Sequence, residues 1–182
     1  MGLFARVRGK AIQKKGIPEF VDAAARVLRS GAPVAFTVVG ADEGAAGEIR
    51  KLADQGLIPP DSLAVLNFVE DARPLMKACE VVVCPSRFEG LPRSLMEAMG
   101  LGRAVVGTKV DGIGEIIEDG KSGLLVEPRD PEALSKAILR LVKDEKLRIR
   151  LGEGAAFRVR QDYGADRMAR EHEEAYAKLV GG

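Results

Sequence analysis

Two glutamates eight positions apart, Glu89 and Glu97, have the clearest chemical potential in this sequence. They follow the apolar run 81–84, and Pro92 lies between them near the point where a helix can begin. This order of strand, turn and helix predicts Glu89 in the turn and Glu97 about a turn and a half into the helix. Two such carboxylates can accept hydrogen bonds from hydroxyl groups of one ligand. Glutamates at this spacing also arise by chance, so the spacing alone does not define a site.

The same turn carries groups that suit a phosphate. The backbone amides of Leu91, Arg93 and Ser94 lie where the helix is expected to start, and Ser94 adds a hydroxyl group. Helix N-termini bind anions through free N–H groups and the positive end of the helix dipole. The segment therefore matches a ligand with many hydroxyls and a diphosphate. Arg93 and Arg87 are interpreted as surface or acceptor-side residues.

A second loop, GKAIQKKG, follows the first apolar run and precedes a helix. Gly9 and Gly16 bracket three lysines, Lys10, Lys14 and Lys15. Backbone amides and ammonium groups at a helix start can hold a phosphate or diphosphate, although a solvated basic loop is the commoner outcome. The loop has neither the GxGxxG of a dinucleotide site nor the GxxxxGK[ST] of a P-loop, which disfavours hydride-transfer enzymes and ordinary ATPases.

The elements that would position these loops alternate along the chain. Short apolar runs separated by helix-period segments predict a single Rossmann-like, doubly wound parallel sheet of about six strands. In such a sheet the ligand lies at the carboxyl ends of the strands. The expected strands are 3–7, 34–40, 63–69, 81–84, 104–107 and 123–126.

Helix signals complete the pattern. A crossover helix over 17–28 is expected to stop at Gly31 and Pro33. Asp130-Pro131-Glu132 supplies an N-cap, a proline at the first helical position and an acid in the first turn, which predicts a helix through Leu141. Two further amphipathic helices are expected at 144–159 and 166–180. We therefore expect one Rossmann-like domain over 1–182, with 144–182 as a helical extension packed on it.

Composition narrows the possible partners. The 182 residues have a formal net charge of +1, which argues against a nucleic acid or an anionic membrane surface as the main partner. Cys79 and Cys84 suit small core positions in a reduced compartment, and with His172 as the only histidine a zinc site is improbable. No apolar run reaches the length of a membrane span or a signal peptide, which favours a cytoplasmic protein.

The stretch CPSRFEGLPRSLMEAMGLGRAVVGTKVDGIGEIIEDGKSGLLVEPRDPEAL resembles the C-terminal donor-binding domain of glycosyltransferase family 4, retaining enzymes with the GT-B fold. It contains the family's Glu-x7-Glu motif as Glu89 and Glu97, followed by the run DGIGEIIEDGKSGLLV. The resemblance continues in register over nearly the whole chain. GKAIQKKG is similar to the basic diphosphate loop, VVG at 38–40 to the second strand, and LNFVED to the loop that meets the base.

The resemblance implies roles for individual residues. A basic pair in the first loop grips the donor diphosphate, which implies Lys10 and Lys15. The first motif glutamate contacts the donor sugar near the reacting carbon and the second binds the ribose, which implies Glu89 and Glu97. The implied catalytic residues are Glu89, Lys15 and Lys10. The other implied donor-binding residues are Gly9, Val69, Gly90, Leu91 and Ser94.

Three positions depart from the family pattern. Lys10 stands where arginine is usual, which keeps the charge and loses the bidentate fork. Pro92 and Asn67 stand where glycine is common, and Pro92 removes a backbone donor. These departures leave the donor geometry open.

The implied reaction is transfer of a sugar from a nucleoside diphosphate, UDP being the commonest carrier in the family, to an acceptor hydroxyl with retained configuration. No metal or other cofactor is expected.

The GT-B fold has two Rossmann-like domains, and 182 residues suffice for only the second. We therefore expect nucleotide-sugar binding with little or no transfer by this chain alone, and peripheral membrane contact only through the missing half. The alternatives are a non-catalytic or split-enzyme subunit that pairs with another chain, and another GT-B-like enzyme such as an epimerase or a phosphorylase.

Overall fold

The computed structural model describes residues 1–6 and 11–164, with scattered positions between 167 and 177. A sheet of six parallel strands forms its centre, in the order β3-β2-β1-β4-β5-β6. This confirms the doubly wound α/β fold with about six strands. The strands are Gly2–Arg6 (β1), Ala35–Val39 (β2), Leu63–Leu66 (β3), Val81–Cys84 (β4), Ala104–Thr108 (β5) and Leu124–Val126 (β6).

Strand β3 ends three residues before the predicted position 69. Its pairing partner β2 stops at Val39, and Gly40 leaves the strand direction with a φ of 97°. The Gly40 N–H then donates to the carbonyls of Leu66 and Asn67 at 3.0 and 3.3 Å. Because β3 lies at the sheet edge, no second neighbour extends it, and the following residues become a loop beside the carboxyl end of the sheet.

Seven α-helices with assigned bounds cover the sheet among the described residues. They are Ile17–Arg29 (α1), Glu43–Gln55 (α2), Arg73–Ala78 (α3), Arg93–Gly100 (α4), Asp111–Ile116 (α5), Pro131–Lys143 (α6) and Glu145–Asp162 (α7). The predicted caps of α6 are confirmed: the Asp130 carboxylate accepts from the Ala133 N–H at 2.8 Å and Pro131 is the first helical residue. The predicted final helix at 166–180 lies largely outside the described residues.

The alternation of side chains along β1 explains the three-layer packing. Leu3 and Ala5 are buried in the core beneath α1, α2 and α6, while Phe4 points to the other core beneath α3, α4 and α5. Phe20 of α1 meets Phe36 of β2 edge to face, with ring centroids 5.7 Å apart. Both faces of the sheet are therefore buried, as a parallel sheet requires.

Strand order reverses between the neighbours β1 and β4, which pair in the middle of the sheet. The chain leaves β1 toward α1 on one face and leaves β4 toward α4 on the other. The loops after these two strands therefore open a crevice at their carboxyl ends, which is where doubly wound sheets bind ligands. In the part of the chain that the structure describes, no helix combines the length and apolar character needed to cross a bilayer.

Candidate donor-binding site

The crevice between β1 and β4 is a cleft of about 390 Å³. It brings together the end of β1, the loop before α1, the loop after β3 and the turn that leads from β4 into α4. Four acidic and three cationic side chains line it together with apolar and polar groups. The lining residues are Arg6, Lys15, Phe68, Glu70, Asp71, Ala72, Glu89, Leu91, Pro92, Arg93, Ser94 and Glu97.

Glu89 lies at the centre of the β4–α4 turn and forms an ion pair with Lys15. The side chains of Glu89 and Lys15 are only 14% and 24% exposed, so the charges are partly withdrawn from water. The Ser86 hydroxyl donates to the same carboxylate oxygen, Oε2, at 3.1 Å. Two loops that are distant in sequence thus place a carboxylate and an ammonium group side by side.

Glu97 lies in α4, where helix geometry turns it toward the end of β1. Its Oε2 lies 3.4 Å from a guanidinium nitrogen of Arg6, the last residue of β1. Both side chains are about one third exposed, at 33% and 28%. A second pair of opposite charges therefore lies along the same cleft, on the side of the loop that follows β3.

Backbone contacts join the loop before α1 to the β4–α4 turn. The Arg87 N–H donates to the Lys14 carbonyl at 2.9 Å. Gly16 precedes α1 with a φ of 63°, and a Cβ there would lie 1.8 Å from the Pro85 carbonyl oxygen. Only glycine permits this approach and this left-handed conformation together.

A side-chain ion pair also connects the β4–α4 turn to α1. Arg87 Nε lies 2.7 Å from Oε1 of Glu19, whose side chain is 10% exposed. Arg87 was interpreted from the sequence as a surface or acceptor-side residue, and the structure corrects this: its guanidinium instead joins the β4–α4 turn to α1. The partners are 68 positions apart in the sequence, which explains why no local pattern indicated the contact.

Helix α5 supports the turn from its other side. The Gly112 N–H donates to the Glu89 carbonyl at 3.2 Å, and a Cβ on Gly112 would lie 1.1 Å from the Gly90 carbonyl oxygen. The Thr108 hydroxyl donates to the Ser86 carbonyl at 2.5 Å. Glu89 therefore sits on a turn that three neighbouring elements hold in place.

The structure brings most of the predicted site residues together. Lys15, Glu89, Leu91, Ser94 and Glu97 line one cleft.

Other predicted positions lie beside the cleft or outside the described residues. Gly90 is part of the same turn, with its carbonyl directed at Gly112. The Val69 side chain packs against the core, while the residues flanking it, Phe68 and Glu70, line the cleft. Gly9 and Lys10 lie outside the described residues. Pro92 is the residue just before α4 and not its first helical residue.

Arg6 is a cleft residue that the sequence reasoning missed. It occupies the last position of an apolar strand, Gly2–Arg6, where a charged side chain has no packing role on either buried face. A cation at the carboxyl end of a central parallel strand is a signal for a ligand contact, and that signal was available in the sequence.

Asp71 contributes a negative charge to the end of the cleft formed by the loop after β3. Its carboxylate accepts hydrogen bonds from the Arg73 N–H and guanidinium at 2.8 to 2.9 Å, and these bonds lower the pKa of Asp71 to about 2. This end of the cleft keeps a negative charge at neutral pH. At the end of β4, beside Ser86, burial raises the pKa of the Cys84 thiol to about 11, so that sulfur remains protonated at neutral pH.

The fold and the cleft agree with sequence comparison. The family model described as glycosyl transferases group 1 matches residues 3–144. This chain belongs to that family. The match covers all six strands and the whole cleft, including both loops that meet at the switch point.

Individual relatives show how much of a longer protein this chain represents. It is 35% identical over 152 residues to the alpha-D-kanosaminyltransferase of Streptomyces kanamyceticus, which covers 81% of this chain and 38% of that protein. The solved C-terminal domain of a group 1 glycosyl transferase from Francisella tularensis superposes with a TM-score of 0.76 at 28% identity, covering 90% of this chain and 85% of that one. The sucrose-phosphate synthase of Thermosynechococcus elongatus gives a TM-score of 0.86 at 26% identity, covering 99% of this chain and 46% of that one.

These comparisons fix the architecture. The fold is the C-terminal half of a GT-B glycosyltransferase, and the chain spans about four tenths of the length of the curated kanosaminyltransferase that it matches. Among the described residues, no cluster of three or more His, Cys, Asp or Glu could hold a metal ion. The expectation of a metal-independent reaction stays a prediction.

Proposed function

We propose that this protein binds a nucleoside-diphosphate sugar in the cleft between β1 and β4 and supplies the donor half of a retaining glycosyl transfer. One observation carries this proposal: Lys15, Arg6, Glu89 and Glu97 converge on one cleft at the switch point of a group 1 glycosyl transferase domain. Cations and a helix N-terminus suit the diphosphate, and carboxylates suit sugar hydroxyls.

The geometry supports a division of roles along the cleft. Lys15 and Arg6 bind the diphosphate, assisted by the first amides of α4 and by the Ser94 hydroxyl. The resemblance assigns the same role to Lys10, which lies outside the described residues, and that assignment stays a prediction. Glu89, deeper in the turn, binds the transferred sugar, and Glu97 binds the ribose. Each charge-assisted contact contributes about 1.5–3 kcal/mol.

The base lies, in this proposal, against the loop after β3. That loop presents Phe68, Glu70 and Asp71 to the cleft beyond Glu97. The donor base is taken to be uracil because UDP-sugars are common donors in the family, and the sugar is left open.

Transfer forms a bond between an acceptor hydroxyl oxygen and the anomeric carbon while the bond from that carbon to the diphosphate breaks, and the hydroxyl proton passes to the departing diphosphate. The diphosphate leaves with the bonding electron pair, and its added charge is stabilised by Lys15, Arg6 and the amides at the start of α4. Fixed charges and dipoles of this kind can supply the largest part of a rate enhancement. The configuration is retained and no metal takes part, as the family resemblance implies.

The acceptor side requires more than this domain. Because the chain covers 38% of the kanosaminyltransferase and 46% of the sucrose-phosphate synthase, we propose that full transfer needs the other GT-B domain, in the same protein or in a partner chain. A polysaccharide or glycolipid acceptor is proposed, at the cytoplasmic side of the cell. The domain alone is expected to bind donor and to transfer little.

Isothermal titration calorimetry of the purified protein tests the proposal with UDP, GDP, ADP and one sugar derivative of each. We expect the nucleotide and the nucleotide sugar of one base to bind, with one molecule per protein. Lys15→Gln should weaken that binding about tenfold. Arg26→Gln removes a cation from an exposed pair on α1 and serves as the matched control. No binding in any series, or equal binding by the Lys15 and Arg26 variants, would contradict the proposal.

A subunit that pairs with another chain is the second candidate. Three large apolar side chains in or beside the cleft are exposed to solvent: Phe68 and Leu91, which line it, are 69% and 55% exposed, and Phe88, next to Glu89 in the chain, is 60% exposed. Exposed apolar groups at this density mark contact surfaces. Native mass spectrometry with light scattering distinguishes a monomer from a complex, and a monomer that binds nucleotide without loss of affinity on Phe88→Ser favours the donor-binding role alone.

A further inference from the structure

Two of the three described cations that line the cleft, Lys15 and Arg6, form ion pairs with acids of the same cleft. Lys15 is bound to Glu89, and Arg6 lies 3.4 Å from Glu97. Arg93 makes no ion pair with any residue that the structure describes. Among the residues that the structure describes, three cationic and four acidic side chains line the cleft, so these side chains together carry no excess of positive charge.

A diphosphate that binds to Lys15 therefore takes that ammonium group from Glu89. When a nucleotide sugar enters, Lys15 turns from Glu89 to the diphosphate, and sugar hydroxyls replace the ammonium as donors to the Glu89 carboxylate. Ser86 continues to donate to Glu89 at 3.1 Å, so the carboxylate does not have to move. Every charge remains paired or hydrogen-bonded, as burial of partly desolvated groups requires.

A bare nucleoside diphosphate cannot complete this exchange. It has no sugar hydroxyl to offer Glu89, and its terminal phosphate carries a further negative charge near neutral pH because the second pKa of such a group is about 6. The Glu89 carboxylate and the terminal phosphate would then lie side by side, and the single ammonium group of Lys15 would have to serve both anions. Like charges this close disfavour binding, and the 14% exposure of the Glu89 side chain limits screening by water.

We propose that Glu89 makes the site selective for the sugar-bearing nucleotide over the bare nucleoside diphosphate, and so promotes release of the product after transfer. This inference rests on the proposed donor-binding function. It assigns Glu89 a specificity role in addition to contact with the transferred sugar.

The test compares a nucleotide and its sugar on two charge-matched variants. Calorimetry measures dissociation constants of UDP and UDP-glucose, or of the GDP and ADP pairs if one of those binds, for the wild type, Glu89→Gln and Glu97→Gln. We expect Glu89→Gln to bind the bare diphosphate more tightly and the nucleotide sugar more weakly. The ratio of the two constants should shift by about tenfold, which equals about 1.4 kcal/mol.

Glu97→Gln removes the same charge from the same cleft, and its proposed contact is with the ribose, which both ligands contain. It should weaken both and leave their ratio unchanged. A ratio that stays constant in Glu89→Gln, or that shifts equally in Glu97→Gln, would overturn the selectivity role while leaving donor binding intact. Absence of all nucleotide binding by the wild type would overturn the proposed function and this inference together. Thermal melting of each variant verifies that it is folded.

Discussion

Gly112 allows the Glu89 turn to rest directly on α5, and its replacement by alanine tests that packing. A Cβ at Gly112 would lie 1.1 Å from the Gly90 carbonyl oxygen and 2.2 Å from its carbon. Ordinary contact begins near 3.4 Å, so the turn would have to retreat by about 2 Å. The hydrogen bond from the Gly112 N–H to the Glu89 carbonyl, 3.2 Å long, would be lost with that movement.

The magnitude follows from these contacts. Overpacking costs about 1–3 kcal/mol and the hydrogen bond about 1 kcal/mol, while the better helix propensity of alanine returns somewhat less than 1 kcal/mol. We expect Gly112→Ala to lower the free energy of unfolding by about 2 kcal/mol and the melting temperature by about 4–8 °C. Because the turn carries Glu89 and Leu91, nucleotide-sugar affinity should fall about tenfold.

Gly114 provides a control in the same helix. A Cβ on Gly114 would meet no atom within 4 Å, so Gly114→Ala gains helix propensity without a clash. It should raise the free energy of unfolding by about 0.5–1 kcal/mol. Urea unfolding and calorimetry on both variants measure the contrast. Equal stability and equal affinity of the two variants would refute the packing argument.

Three further predictions concern single contacts. Arg6→Gln should weaken nucleoside-diphosphate binding about tenfold in calorimetry, because it removes a charge-assisted contact. Arg87→Met should lower the free energy of unfolding by about 3 kcal/mol in urea titration, since it leaves the Glu19 carboxylate buried without its partner. Cys84 should react slowly with iodoacetamide at about pH 8, as followed by mass spectrometry, because burial raises its thiol pKa from 9.0 to about 11.

Each of these predictions has an outcome that contradicts it. Unchanged affinity in Arg6→Gln would remove Arg6 from the diphosphate site. The double variant Arg87→Met with Glu19→Leu should recover most of the lost stability, and failure to recover it would assign the loss to other contacts of Arg87. Because the native state keeps the Cys84 proton to a higher pH than the unfolded state does, the free energy of unfolding should fall as pH rises from about 9 toward 11. Alkylation as fast in the native protein as in urea would contradict the burial of Cys84.

Local patterns predicted the secondary structure well because the signals are short in range. The apolar runs of β1 and β4 fall where the strands lie, since buried parallel strands need continuous apolar residues. The Asp130-Pro131 pair likewise marked the start of α6. The error at the end of β3 arose because strand length depends on the partner strand, and β2 ends at Val39.

The site was predictable only in part. Glu89 and Glu97 were identified through their spacing and the family resemblance, and the structure places both in one cleft. Their partners were not predicted from spacing, because the Lys15–Glu89 and Arg6–Glu97 pairs join residues 74 and 91 positions apart. Such contacts exist only once the order of strands brings β1 beside β4.

A crystal structure of the protein with a bound nucleoside-diphosphate sugar tests the central claim most directly. We predict that the diphosphate lies within hydrogen-bond distance of Lys15 and of the first amides of α4. We also predict the ribose hydroxyls at Glu97 and the base against the loop that contains Phe68. A nucleotide bound away from the β1–β4 crevice, or bound there with its ribose at Glu89, would contradict the account.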